Sequence, residues 1–145
     1  MSTARPGQVL FAFVRYWSRR LPAGHKVAEQ GRLVLVTEAV HTLTRRGIAA
    51  TVNAVAHEIG IDQSGASRLV KSATEAGYLT MQASDADGRR RQATLTSFGH
   101  TMLDQAHDWQ EQVFDRLTEG WSEQQRRNFR QAMTELIDRS YALDA

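Results

Sequence analysis

The stretch from Thr51 to Thr96 constrains this chain more than any other, because two glycines cut it into segments with different hydrophobic periods. In TVNAVAHEIG, residues 51 to 60, Val52, Val55, Ala56 and Ile59 recur at helical spacing and leave Asn53, His57 and Glu58 toward solvent. Gly60 tolerates the positive φ needed where one helix stops and the next leaves at a steep angle. Ile61 is expected to plug that corner, and Asp62 to cap the following helix by accepting hydrogen bonds from its orphaned amides. That helix is predicted over Gln63 to Ala76, with Ala66, Leu69, Val70 and Ala73 as its inward stripe and Gly77 as its stop.

Tyr78-Leu79-Thr80-Met81 then reads as a strand, Gln82 to Gly88 as a turn-rich run, and Gln92 to Thr96 as the returning strand, with Arg89-Arg90-Arg91 on or beside the tip. Two helices across a tight turn followed by a hairpin predict a winged helix-turn-helix. The outer face of the second helix, Gln63, Ser64, Ser67, Arg68, Lys71 and Ser72, is small, polar and weakly basic. Short side chains at a helix start let the backbone approach base edges, Gln pairs bidentately with adenine, and Arg does so with guanine. Taken alone, that face also fits an ordinary Ser-rich exposed helix, and the arginine run an ordinary solvated charge run. Their succession favours DNA reading, since a basic tip beside a recognition helix can enter the neighbouring minor groove. Arg89, Arg90 and Arg91 are the wing candidates, and Asp87 is placed to orient one of them in a bidentate pair.

The pattern IGIDQSGASRLVKSATEAGYLT, then DGRRRQATLTSFG, resembles the multiple antibiotic resistance regulator (MarR) family of bacterial transcription factors. The recognition-helix start and the wing with its exit carry the resemblance, and the rest of the chain matches in helical layout. That family's wing often carries Asp-x-Arg-Asp-x-Arg. Here Ser84, Asp85, Ala86, Asp87, Gly88 and Arg89 stand in its place, so the second Asp and second Arg are kept. Arg89 becomes the minor-groove candidate, with Arg90 and Arg91 as phosphate or structural partners. The resemblance implies a mainly α fold with a small β-hairpin wing: a winged helix-turn-helix over residues 27 to 96 in a single domain of 1 to 145. Residues 5 to 22 and 97 to 145 would supply the helices of a homodimer. It further implies a ligand-responsive repressor that binds a palindromic double-stranded operator. A small aromatic or phenolic effector would sit between the dimer helices and the winged part, with Tyr16, Trp17, Arg20, His41 and Trp109 as candidate pocket residues.

Outside the reader the chain is helical. Gly7 to Leu21 carries the apolar face Val9, Leu10, Phe13, Val14 and Trp17 and ends at Pro22-Ala23-Gly24. Val27 to Arg46 is a second helix with Leu33, Val34, Val36, Val40 and Leu43 expected inside, weakened at Gly31, and Ile48-Ala49-Ala50 is expected to be a small strand pairing with the wing. Thr96 or Ser97 can cap a helix through Leu117, and Ser122-Glu123-Gln124-Gln125 is a capping-box pattern opening a last helix through about Tyr141. The first and last helices leave apolar stripes that a small winged domain cannot cover. Such stripes mark association surfaces, although packing within one chain is the alternative.

Composition narrows the function classes. The chain has no Cys, which removes disulfides, thiolate catalysis and thiol-based redox sensing and fits a reducing cytoplasm. No apolar run reaches a membrane span, and Met1 to Gly7 lacks the features of an export signal. Residues 1 to 96 hold 13 Lys and Arg against 7 Asp and Glu, whereas residues 97 to 145 hold 5 against 9, so the basic part contains the reader. No cofactor motif, nucleophile elbow or phosphate loop occurs, so an enzyme is not expected. His25, His41, His57, His100 and His107 are scattered and no metal site is assigned. Glu38 and His41 on one helix with His100 and His107 on another nevertheless leave a zinc-responsive regulator as an alternative, and a helical protein-interaction module that does not bind DNA as a second.

Overall fold

A computed structural model describes residues 3–18, 20, 27–83 and 91–144. Among these residues, six helices and one hairpin follow in the order α1 (Pro6–Trp17), α2 (Val27–Arg45), α3 (Val52–Ile59), α4 (Gln63–Glu75), β1 (Leu79–Ala83), β2 (Arg91–Leu95), α5 (Ser97–Leu117) and α6 (Glu123–Leu143). The mainly α fold with a small hairpin wing is therefore observed. The chain divides into two compact units, residues 1–107 and 108–145, with α5 running through the division.

In the first unit α2 packs on both α3 and α4, these two pack on each other, α2 meets β2, and α4 meets β1. Leu33, Val36, Val40 and Leu43 of α2 close over Val55 and Ala56 of α3 and over Ala66, Val70 and Ala73 of α4, with Leu79 and Ala93 below. Complete burial of a Val or Leu side chain contributes about 1.5–3 kcal/mol, so Val36, Val40, Val55 and Leu79 anchor the unit. Val34, expected inside, is only half-buried. Thr37 takes an inward position instead, fully buried and with no hydrogen-bond partner for its hydroxyl among the described residues.

The hairpin is antiparallel, pairing Leu79 with Leu95, Met81 with Ala93 and Ala83 with Arg91. Leu79, Met81, Ala93 and Leu95 share one face and turn it to the core. The expected strand at Ile48 to Ala50 does not form. Ala50 instead accepts one backbone hydrogen bond from the Ala93 N–H at 2.9 Å, because the run bends into the α3 cap after a single residue alongside the wing. In α1, Pro6 occupies the first turn and the helix ends at Trp17, earlier than the apolar pattern suggested. The expected stop at Leu21 to Gly24 lies outside the described residues.

The second unit is a helical hairpin made by the end of α5 and α6. Ser122 caps α6 with both halves of the capping box in place. The turn is held by Arg126, which donates to the Thr118 carbonyl at 3.2 Å and to Asp115 Oδ1 at 3.0 Å. Phe129 stacks on Phe114 and meets Trp121 edge-on. No described helix is long and apolar enough to cross a membrane.

Candidate nucleic-acid interface

The α3–α4 corner is built by local backbone chemistry. Thr51 caps α3, its hydroxyl accepting from the Ala54 N–H at 3.1 Å. Gly60 sits at φ 81°, which brings its own N–H and that of Ile61 onto the Ala56 carbonyl at 2.9 and 3.0 Å. Asp62 then caps α4, with Oδ1 accepting from the Gly65 N–H at 3.0 Å. A Cβ on Gly65 would come within 2.6 Å of that oxygen, so the bare glycine lets the carboxylate fold over the helix start. Ile61 is 37% exposed and reaches toward the start of α4, its Cδ1 3.6 Å from where a Cβ on Gly65 would stand, so it covers the corner only in part. Glu58, expected in solvent, is drawn inward to Arg46 at 3.5 Å and keeps only 14% of its side-chain exposure.

With Ala66, Val70 and Ala73 fixed inward, the opposite face of α4 is set by helical geometry. Gln63, Ser64, Ser67, Arg68, Lys71 and Ser72 are all exposed on it. Arg68 and Lys71 enter no ion pair among the described residues, so both cations remain open to an anionic partner. Arg91 is exposed at the outer end of β2, opposite Ala83, and is thus a strand residue. Asp87, Arg89 and Arg90 lie outside the described residues.

Behind this face, four elements converge on one residue. Thr96 N–H donates to the Tyr78 carbonyl at 3.1 Å. The Thr96 hydroxyl donates to the Gly77 carbonyl at 2.5 Å and accepts from the Gly99 N–H at 3.0 Å. Gly77, at φ 88°, closes α4. Gly99 brings α5 so close to β1 that a Cβ there would lie 2.2 Å from the Tyr78 carbonyl oxygen. Phe98 stacks on Tyr78 with centroids 5.0 Å apart. Thr96 was legible as a cap. Gly99 was missed, although a glycine three residues after a capping Thr, inside a helix start that would favour alanine, is a signal for close backbone approach.

The five effector-pocket candidates lie at the end of α1, on α2 and on α5. Tyr16, Trp17 and Arg20 cluster at the end of α1, Tyr16 edge-on to Trp17 and the Arg20 guanidinium 3.6 Å over the Tyr16 ring while it donates to the Tyr16 carbonyl. His41 packs edge-on against His100, and Trp109 belongs to the second unit. The four residues raised for zinc form two separate pairs, His107 with Glu38 at 3.0 Å and His41 with His100 at 5.8 Å between ring centroids. Among the described residues no three such side chains are grouped to hold a metal ion.

A polar helix seated by a left-handed glycine turn on a buried partner, followed by an antiparallel hairpin at its base, defines a winged helix-turn-helix protein. Residues 35–90, which include the helix-turn-helix and most of the hairpin segment, match the model of the MarR family. The fold as a whole is similar to the crystal structure of MarR, at 20% identity and a TM-score of 0.70 over 99% of this chain and 96% of that one. A MarR family transcriptional regulator from Silicibacter pomeroyi is also similar, at 21% identity and a TM-score of 0.65 over 94% and 95% of the two chains. So is the heme sensor protein PefR from Streptococcus agalactiae, solved in complex with heme, at 22% identity and 0.51 over 90% and 84%. No match was found among curated proteins.

Proposed function

We propose that the protein is a cytoplasmic, sequence-specific DNA-binding regulator, a repressor without enzymatic activity, in which a homodimer presents two recognition helices to a palindromic operator. The observation that carries this reading is the outer face of α4. Its two cations enter no ion pair among the described residues, its small polar residues lie at the helix start, and its inner face is locked to the core. Arg68 and Gln63 would read base edges, Lys71, Ser64, Ser67 and Ser72 would position the helix against phosphate or bases, and Arg89, oriented by Asp87, would enter the minor groove with Arg90 and Arg91 nearby.

Dimerisation is supported by the apolar side chains that a single chain leaves in solvent on its terminal helices, such as Phe11 at 67% exposure and Ile137 at 54%. We read residues 5–22 and 97–145 as the dimer-forming part and 27–96 as the DNA-reading part. A planar aromatic effector is the natural ligand class. Tyr16, Trp17, Arg20, His41 and Trp109 stay its candidate contacts, and the likeness to a heme-bound sensor supports that class. Such a ligand lowers DNA affinity only by binding more tightly to the dimer form in which the two helices are wrongly spaced. Selection of bound sequences from a random DNA pool tests the reading. An inverted repeat with half-sites about 10 bp apart is expected, and a pool that gains no common sequence would overturn it.

A further inference from the structure

We propose that Thr96 is a positioning residue for DNA reading: its hydroxyl ties the end of the recognition helix and the base of the wing to the first turn of α5, so that both reading elements meet DNA at one spacing. The inference rests on the DNA-reading role proposed above and adds a residue that touches no DNA.

A helix cap needs only an acceptor. Thr96 supplies that acceptor to the Gly99 N–H at 3.0 Å and uses its hydroxyl proton for a second purpose, donating to the Gly77 carbonyl 19 residues earlier, with the Tyr78 carbonyl at 3.2 Å as a second, longer acceptor. Gly77 is the residue that closes α4, with its N–H on the Thr74 carbonyl at 3.0 Å, and Tyr78 follows with its N–H on the Ala73 carbonyl at 2.9 Å. One hydroxyl therefore connects the last turn of α4 to the first turn of α5. The Thr96 backbone extends the β1–β2 ladder by one further bond to the Tyr78 carbonyl. The Gly99 backbone, packed against Tyr78 with no room for a Cβ, prevents the joint from opening in that direction. If the bond to Gly77 is lost, α4 and the wing can adopt more than one relative setting. The apparent operator affinity then falls in proportion to the fraction of molecules that keep the competent one.

The test compares Thr96→Val, which removes the hydroxyl's bonds to Gly77, Tyr78 and Gly99 at nearly constant shape, with Thr96→Ser, which keeps them. Affinity is measured for the selected operator and for random duplex, alongside amide hydrogen exchange of the DNA-free protein. Thr96→Val is expected to bind the operator about tenfold more weakly, as one lost hydrogen bond can account for, and random duplex within about threefold, because phosphate contacts tolerate altered spacing. Thr96→Ser is expected to restore operator binding to within about threefold. Equal loss on both DNAs, or no loss, overturns the proposal, since a general loss of folded protein lowers both alike.

Thr96→Asp keeps the cap acceptor and lacks the donor, and so separates the tie from the cap if the Val variant does not fold. In Thr96→Asp the Tyr78 and Thr96 amides are expected to exchange about tenfold faster while the amides of α2 stay unchanged, the signature of a local opening; unchanged exchange at Tyr78 and Thr96 overturns the tie. This measurement needs no DNA. If the wild-type protein selects no sequence, the DNA-reading role fails, and the exchange result still decides whether the hydroxyl holds the joint.

Discussion

Gly99→Ala is the substitution whose consequence the structure prices most directly. The added Cβ would stand 2.2 Å from the Tyr78 oxygen and 3.1 Å from its carbonyl carbon. An ordinary carbon–oxygen contact needs about 3.3 Å or more, so the backbones of α5 and β1 must part by about 1 Å. No side-chain rotation can relieve a clash with a carbonyl. Overpacking of this kind costs about 1–3 kcal/mol. The same displacement stretches the Thr96 N–H bond to that oxygen, 3.1 Å in the native joint, and a hydrogen bond carries a net value of about 0.5–1.5 kcal/mol. Alanine returns up to about 1 kcal/mol through its better helix propensity. The balance is a loss of about 2 kcal/mol, or about 1 M in urea midpoint at a typical slope. Urea unfolding followed by far-ultraviolet circular dichroism at one protein concentration measures it, and Gly7→Ala is the internal control. Gly7 lies in the first turn of α1 with nothing within 4 Å of an added Cβ, so the same change there should be neutral or stabilising by at most about 1 kcal/mol. A Gly99→Ala protein as stable as wild type, or one that shifts alongside the Gly7 variant, would refute the close-approach argument.

Arg68→Ala should cost about 1–3 kcal/mol on the operator and relax discrimination at one base position; equal losses on operator and random DNA would make Arg68 a phosphate contact. Removing the chain from Ser122 onward should give a protein that sediments as a monomer and loses tight operator binding, and a truncated dimer of unchanged affinity would contradict the assigned interface. Arg89→Ala should weaken operator binding and flatten its salt dependence by up to about one phosphate-equivalent. Asp87→Ala should do part of the same damage, whereas tighter binding by Asp87→Ala at every salt concentration would reduce Asp87 to a repulsive neighbour. Thr37→Val should raise stability by about 1 kcal/mol, because it replaces a buried hydroxyl that has no partner with a methyl group; a destabilised variant in a denaturation series would mean the hydroxyl is satisfied.

Features encoded within a few residues were legible from the sequence. Gly60, Asp62 and Ser122 each act on backbone groups two to four positions away, and the structure places all three as capping chemistry requires. The inward stripe of α4 and the exposure of its six polar residues follow from a single helical period. What escaped depends on distant parts of the chain. Gly99 is dictated by the position of Tyr78, and the partial burial of Glu58 by Arg46 at the end of α2. Ile48 to Ala50 carries a strand-like composition, but a ladder needs several successive backbone partners, and only Ala50 meets one. Ile61, which reads as an inward plug, lies near the start of α4 but keeps 37% of its exposure. The wing arginines at 89 and 90, with Asp87, rest on the sequence alone.

Helices α4 and α6 treat their surface charges differently, and the difference bears on function. On α6, Glu123 pairs with Arg127, Glu135 with Arg139, and Gln124 with Asn128, each four residues apart, as a solvated helix does to satisfy its own surface. On α4, Lys71 and Glu75 stand at the same spacing and form no pair, and Arg68 forms none among the described residues. That face also carries Ser64, Gly65, Ser67 and Ser72, residues that lower helix propensity by about 0.5 kcal/mol per Ser and about 1 kcal/mol for Gly relative to alanine. The helix is held by its ends and its inner face: the Asp62 cap, the buried Ala66, Val70 and Ala73, and the Gly77 closure. A helix selected only to support a fold would carry alanine, glutamate and lysine on its outer positions. Small hydroxyls and uncommitted cations instead leave the backbone approachable and the charges available, at a cost in local stability that the core offsets. A phosphate-bearing duplex is the partner for which both properties matter together.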